Sequence, residues 1–212
     1  MSSAASPSET YAYDWVGPSQ HHHYTVPSVL ELLPAKSGLT VLDAACGNGY
    51  IANEIRQLGH TVYGCELADS GLALARKSYP EITFFKQDLY EDMRASLPDG
   101  GVDVVVASEV IEHMFAPEKF LNNLRGTLKP GGHVILTTPY HGFLKNLAIS
   151  LVNGWDKHFM VHHEGGHIKF YSPETLKQVM RATGFDDFEF RGLGRAPLIW
   201  AGMAMRGRKV GD

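Results

Sequence analysis

The chain has 212 residues, 44% hydrophobic and 20% charged, with 19 Lys and Arg against 23 Asp and Glu for a formal net charge of -4. That balance suits one soluble globular domain with a sizeable core and argues against a broad basic surface for nucleic acid or an anionic membrane. No stretch approaches the ~20 apolar residues of a membrane span, residues 1–7 lack the apolar core of a signal peptide, and two cysteines exclude a disulfide framework, so a cytoplasmic location is expected.

In chain order, residues 1–24 read as a Ser- and Ala-rich tail followed by an aromatic and His-rich cover segment. Residues 25–212 read as the folded domain. Pro27 is expected to open a short helix with Val29, Leu30, Leu32 and Leu33 on its apolar side. Leu39-Thr-Val-Leu-Asp43 is a first strand, followed by the turn Ala44-Ala-Cys-Gly-Asn-Gly49 and a helix marked by Ile51, Ile55 and Leu58. Residues 61–66 form a second strand and residues 82–85 a third. Residues 102–107 form a fourth, whose near-continuous valines suit burial on both faces. A helix over about 117–128 stops at Lys129-Pro-Gly-Gly132, and residues 133–138 are the fifth strand. Residues 140–171 lack a clean period and read as an insertion that shapes substrate specificity. Ser172-Pro-Glu-Thr175 then caps another helix. Residues 185–191 and 198–205 close the chain as two strands. Strands alternating with helices predict a Rossmann-like α/β fold: a doubly wound, seven-stranded, mostly parallel sheet with helices on both faces.

In such a sheet the ligand sits at the carboxyl ends of the strands. The loop of residues 43–49 lies there, and its glycines let the backbone approach a ligand closely. Its Asp-x-x-x-Gly-x-Gly spacing differs from the Gly-x-Gly-x-x-Gly dinucleotide fingerprint and suits a smaller ligand with an amino-acid tail. A NAD-dependent dehydrogenase is disfavoured on the same ground.

Val41-Leu-Asp-Ala-Ala-Cys-Gly-Asn-Gly49 resembles motif I of class I S-adenosylmethionine-dependent methyltransferases, and Leu128-Lys-Pro-Gly-Gly132 resembles the turn before their fifth strand. The resemblance runs over about residues 25–205. It implies S-adenosylmethionine as donor, held by Asp43, Ala45, Gly47, Asn48 and Gly49. Glu66 matches the acid that binds the ribose hydroxyls, with Leu67 beside it, and Asp88 matches the residue that reads the adenine amino group, with Leu89 beside it. Ser108 is a further expected contact. The cover segment is implied to fold over the donor, with His22, His23 or Tyr24 touching its carboxylate.

Ser108-Glu-Val-Ile-Glu-His113 follows the fourth strand. A helical turn beginning at Glu109 puts Glu112 and His113 at i+3 and i+4 on one side, and two carboxylates with an imidazole suit Mg²⁺, Mn²⁺, Fe²⁺ or Zn²⁺. The hexapeptide is similar to the Ser-Glu-x-x-Glu-His motif of the ubiquinone-biosynthesis O-methyltransferases and the small-RNA 2′-O-methyltransferases. By that resemblance His167, in Gly166-His-Ile-Lys-Phe-Tyr-Ser172, is the fourth ligand, with His162 and His163 as competitors and His158 lining the pocket. His113 or His163 is the expected base. Tyr140, Phe143, Trp155, Phe159 and Met160 are candidates for an apolar acceptor wall. The reading that follows is O-methylation of a small-molecule catechol or vicinal diol, by a monomer or homodimer. Its rivals are a metal-independent N- or C-methyltransferase, an RNA 2′-O-methyltransferase, against which the acidic balance speaks, and a non-catalytic donor-binding protein.

Overall fold

The computed structural model describes residues 13–159 and 165–211. Seven strands make one sheet: β1 (Thr40–Ala44), β2 (Thr61–Glu66), β3 (Thr83–Lys86), β4 (Val102–Ser108), β5 (Leu128–Pro139), β6 (Phe185–Leu193) and β7 (Gly202–Lys209). Their order is β3-β2-β1-β4-β5-β7-β6. The first five run parallel, and β7 pairs antiparallel with both β5 and β6. The strand order turns back between β1 and β4, and that is where the carboxyl ends open a crevice.

Helices cover both faces because β4 and its neighbours are apolar on both. Val104 and Val106 pack with α1 (His22–Leu32), α2 (Tyr50–Gln57) and α3 (Asp69–Ser78) through Val29, Leu32, Ile55 and Ala75. Val105 and Ala107 face α4 (Pro117–Thr127) and α7 (Pro173–Ala182) through Phe120, Leu124, Leu176 and Met180. Helix α7 starts on a capping box in which Ser172 and Thr175 each bond the other's backbone N–H. Among the described residues of 140–171 there are two helices, α5 (Phe143–Leu151) and α6 (Trp155–Phe159). Cys46 and Cys65 are free and buried.

Three element starts differ by four residues or more from the sequence expectation. Helix α1 starts at His22 and carries Pro27 inside it. Five preceding residues propagate the helix, and Pro27 merely leaves one carbonyl without a helical donor. Strand β5 begins at Leu128, directly after α4, and absorbs Lys129-Pro-Gly-Gly132 as an irregularity in its pairing with β4. Strand β7 begins at Gly202 rather than near Leu198, since Arg195 (φ 32°) and Leu198 (φ 69°) adopt left-handed conformations that an extended ladder excludes. No helix among the described residues is long and apolar enough to cross a membrane.

Candidate active site

The first half of the site is the loop between β1 and α2. Gly47 (φ 54°) and Gly49 (φ 80°) are both left-handed, and a Cβ at Gly49 would lie 2.9 Å from Phe84 Cζ and 3.0 Å from Ala75 Cβ. Gly49 is therefore required by packing as well as by conformation. Ala45 takes the same region (φ 59°) without being glycine, a local strain of the kind that collects at functional sites. Asp43, at the end of β1, is 1% exposed, and its Oδ2 has no hydrogen-bond partner among the described residues. Burial pushes its carboxyl up to about 7, Glu66 adds to the rise, and the Ala52 N–H opposes it. A buried, unpartnered carboxylate oxygen fits a cationic ligand such as a donor ammonium.

Glu66 closes the other side. Its Oε2 accepts the Gly47 N–H at 2.9 Å, and its Oε1 accepts those of Leu67 (2.7 Å) and Ala68 (2.8 Å). Oε2 keeps acceptor capacity for a ligand hydroxyl. Asp88 is exposed and its Oδ1 accepts the Tyr90 N–H, while Leu89 beneath it is buried. Asn48 reaches outward to the segment before α1. His23 turns back on the start of α1, with Nδ1 against the Gln20 carbonyl, and His22 stacks on Tyr50. Burial and the Glu109 carboxylate raise the Tyr24 phenol pKa, and Arg195 lowers it.

The second half lies after β4 and β5. The expected helical turn from Glu109 is absent. Glu109 is left-handed (φ 56°), and only Ile111–His113 form a 3₁₀ turn. The Glu109 Oε1 accepts from Thr137 Oγ1 at 2.9 Å, and Ser108 Oγ lies 2.8 Å from the same hydroxyl. Glu112 is fully buried. Its Oε2 accepts from Thr138 Oγ1 at 2.9 Å, and its Oε1 has no hydrogen-bond partner among the described residues. Burial holds the Glu112 carboxyl well above the usual range, with Glu109 second. Burial likewise raises Glu109, against the pull of Thr137 and Lys145.

His167 reaches Glu112 because its segment docks on the 3₁₀ turn: the N–H groups of Ile168 and Lys169 both donate to the Glu112 carbonyl, at 2.9 and 3.0 Å. His167 Nε2 is 3.9 Å from Glu112 Oε1, and the rings of His113 and His167 meet edge to face at 4.9 Å. One ligand atom each from Glu112, His113 and His167 lies within 4.8 Å of the others. Atoms bound about 2.1 Å from one ion stand roughly 3–4 Å apart, so a small contraction completes a three-ligand site. His113 Nδ1 faces the Gly166 carbonyl at 3.3 Å. A proton at Nδ1 leaves the Nε2 lone pair for coordination. Glu109 stays outside this trio. His162, His163 and Met160 lie outside the described residues.

Two further groups were not singled out from the sequence. His141, just past the carboxyl end of β5, is buried against His158 and Phe170, and burial followed by Lys145 lowers it to about 4. Lys145, on α5, is 8% exposed; its ammonium donates to the carbonyls of Tyr140 (2.6 Å) and Ala201 (3.3 Å), and burial followed by Arg195 lowers it to about 8. His141 follows directly from the rule that ligands gather at strand carboxyl ends. Lys145 has no such signal. Of the expected apolar wall, Tyr140 is buried on Trp200, Trp155 and Phe159 stack on each other, and Phe143 is exposed.

A family model described as a methyltransferase domain matches residues 19–189. Among curated proteins, the ubiquinone biosynthesis O-methyltransferase of Vibrio parahaemolyticus serotype O3:K6 is 30% identical over 176 residues, covering 80% of this chain and 73% of that protein. The protein of the same name from Cereibacter sphaeroides is 29% identical over 167 residues, covering 77% and 67%. Among solved structures, an S-adenosylmethionine-dependent methyltransferase from Mesorhizobium loti matches with a TM-score of 0.67 at 18% identity, covering 86% of this chain and 96% of that one. Magnesium protoporphyrin IX methyltransferase from Synechocystis PCC 6803, with bound SAH, matches with a TM-score of 0.64 at 19% identity, covering 87% and 82%.

Proposed function

Given that the chain belongs to the methyltransferase-domain family and is a class I S-adenosylmethionine-dependent methyltransferase, we propose that it methylates a hydroxyl of a small catechol or vicinal diol with the help of a divalent metal ion. The observation that carries this reading is the trio Glu112, His113 and His167, with a buried carboxylate oxygen lacking a hydrogen-bond partner among the described residues. An ionised Glu112 in that position needs a cation, since burial and Glu109 both oppose its charge. The identity of about 30% to ubiquinone biosynthesis O-methyltransferases supports an oxygen acceptor.

The donor brings an electrophilic methyl group on a sulfonium, and a metal ion would lower the pKa of the acceptor hydroxyl and orient it. The protein's own residues supply position and proton handling. Asp43 and Glu66 would hold the donor's ammonium and its ribose hydroxyls, so that most of the rate gain comes from alignment of methyl carbon and acceptor oxygen. Glu112, His113 and His167 would hold the metal, with Thr138 orienting Glu112 and the Gly166 carbonyl fixing the His113 tautomer. Glu109, bonded to Thr137 and facing Lys145, is the group to which we assign the acceptor's proton. Lys145 keeps that carboxylate from neutralising too readily.

With catechol as acceptor, stripping the enzyme with a chelator is expected to cut methyl transfer by about a hundredfold, and Mg²⁺ or Mn²⁺ to restore it. Glu112→Gln is expected to abolish the metal response while S-adenosylhomocysteine still binds. Full turnover after stripping sinks the metal reading and favours metal-independent N- or C-methylation.

A further inference from the structure

The loop between β6 and β7, residues 194–201, docks at the carboxyl end of β5. Ala201 ties it there: its carbonyl accepts the Tyr140 N–H at 3.2 Å and the Lys145 ammonium at 3.3 Å. At its other end Gly194 rests on α1, where an added Cβ would lie 3.4 Å from Tyr24 Cδ1. Between these anchors the backbone is left-handed at two residues that are not glycine, Arg195 (φ 32°) and Leu198 (φ 69°). Such conformations are costly, persist only where the surroundings enforce them, and collect at functional sites.

Two cations meet at this end of the crevice. Lys145 is 8% exposed, and two of its three ammonium hydrogens are taken by the Tyr140 and Ala201 carbonyls. Neither Lys145 nor Arg195 forms an ion pair with a carboxylate among the described residues. Each feels the other's charge: burial followed by Arg195 lowers Lys145, and burial, Lys145 and Arg195, in that order, lower the His158 imidazole between them. Glu109 is the carboxylate that acts on Lys145, and its own hydrogen bond goes to Thr137. The wall at this end is aromatic, with the His141 ring edge to face on His158 at 5.2 Å and on Phe170 at 4.9 Å. An ammonium with little water, two neutral partners and a like charge nearby is stabilised by an incoming anion.

We propose that Lys145 and Arg195 form a seat for an anionic substituent of the acceptor, a carboxylate on the same ring as the reacting hydroxyl. The inference rests on the catechol reading and adds the acceptor's charge to it. The planar guanidinium matches a carboxylate through two parallel N–H bonds, and the buried ammonium has a third hydrogen to add. Catechol itself is symmetric, whereas a ring held by its acid end presents its two hydroxyls differently. The seat therefore also selects which hydroxyl is methylated.

Calorimetry on the full chain loaded with S-adenosylhomocysteine tests this with protocatechuate and its primary amide, which share the catechol end and differ in charge. The acid is expected to bind about tenfold or more tighter, the scale of one charge-assisted contact. Arg195→Gln and Lys145→Met are each expected to erase most of that preference, and Arg195→Lys to keep part of it. Arg195 is exposed in its loop, so its variants leave the core intact. Equal binding of acid and amide by the wild type overturns the proposal, as does a preference that survives Arg195→Gln. Weaker binding of S-adenosylhomocysteine by Arg195→Gln overturns it too, since the guanidinium would then serve the donor's own carboxylate. Failure of the catechol reading looks different: a chain that leaves catechol unmethylated yet prefers the acid through Arg195 loses that reading and keeps the anion seat.

Discussion

At the scale of single residues, Asp43 makes the most specific electrostatic demand. Its carboxyl lies near pH 7 in the folded protein, up from an ordinary 3.8. The folded state therefore holds a proton that the unfolded chain has released between those values, and this group's contribution to stability falls as pH rises from about 4 to about 7. On the proposed reading donor binding runs the opposite way, because a cationic amino-acid end would pair only with the ionised form. We expect affinity for S-adenosylhomocysteine, read by calorimetry, to rise about tenfold between pH 6 and pH 8, following the ionised fraction. Asp43→Asn should flatten that profile. Parallel profiles in the two proteins would remove Asp43 from donor recognition. The loop around it was legible in the sequence because acid-to-glycine spacing is a backbone requirement that side chains elsewhere do not alter. Lys145 was not: a lysine inside an apolar run reads as solvent-facing, and only the meeting of the Tyr140 and Ala201 carbonyls, 61 residues apart in sequence, buries it.

Among elements, the decisive departure is the segment after β4. Spacing alone put Glu109, Glu112 and His113 on one helical face. The left-handed Glu109 breaks that face, sending its carboxylate to Thr137 while Glu112 and His113 ride a 3₁₀ turn. Helical spacing holds only where the backbone is helical, and a single positive φ redirects a side chain without leaving a mark in the residue pattern. His167 joins the turn through backbone pairing as well as its ring contact with His113, and the pairing gives a separate test. The Ile168 side chain is 51% exposed, yet its N–H donates to the Glu112 carbonyl. Ile168→Pro removes that donor and restricts His167 as well. Affinity for Mn²⁺ should fall by about 10- to 100-fold, with little change in thermal midpoint. Unchanged affinity would mean that His167 does not depend on this docking. The offset of β7 has a similar origin, since Leu198 and Ile199 read as strand residues but sit exposed in a loop containing left-handed positions.

For the molecule as a whole, the alternation of strands and helices carried the architecture. Parallel strands need crossover helices, so five such strands in sequence leave few arrangements other than a doubly wound sheet. The final antiparallel pair completes it through seven paired positions between β5 and β7. That sheet brings Asp43, Glu66, Ser108 and His141 to one edge although 98 residues separate the first from the last. Donor loop and imidazole cluster thus stand on adjacent strand ends, facing one crevice.

The most direct measurement is anomalous diffraction from crystals grown with Mn²⁺, catechol and S-adenosylhomocysteine. The account predicts a single metal peak bounded by Glu112, His113 and His167, with both catechol oxygens on its open side facing the donor sulfur. A metal peak elsewhere, or catechol bound against the sulfur with Glu112 still contacting only protein atoms, would contradict it.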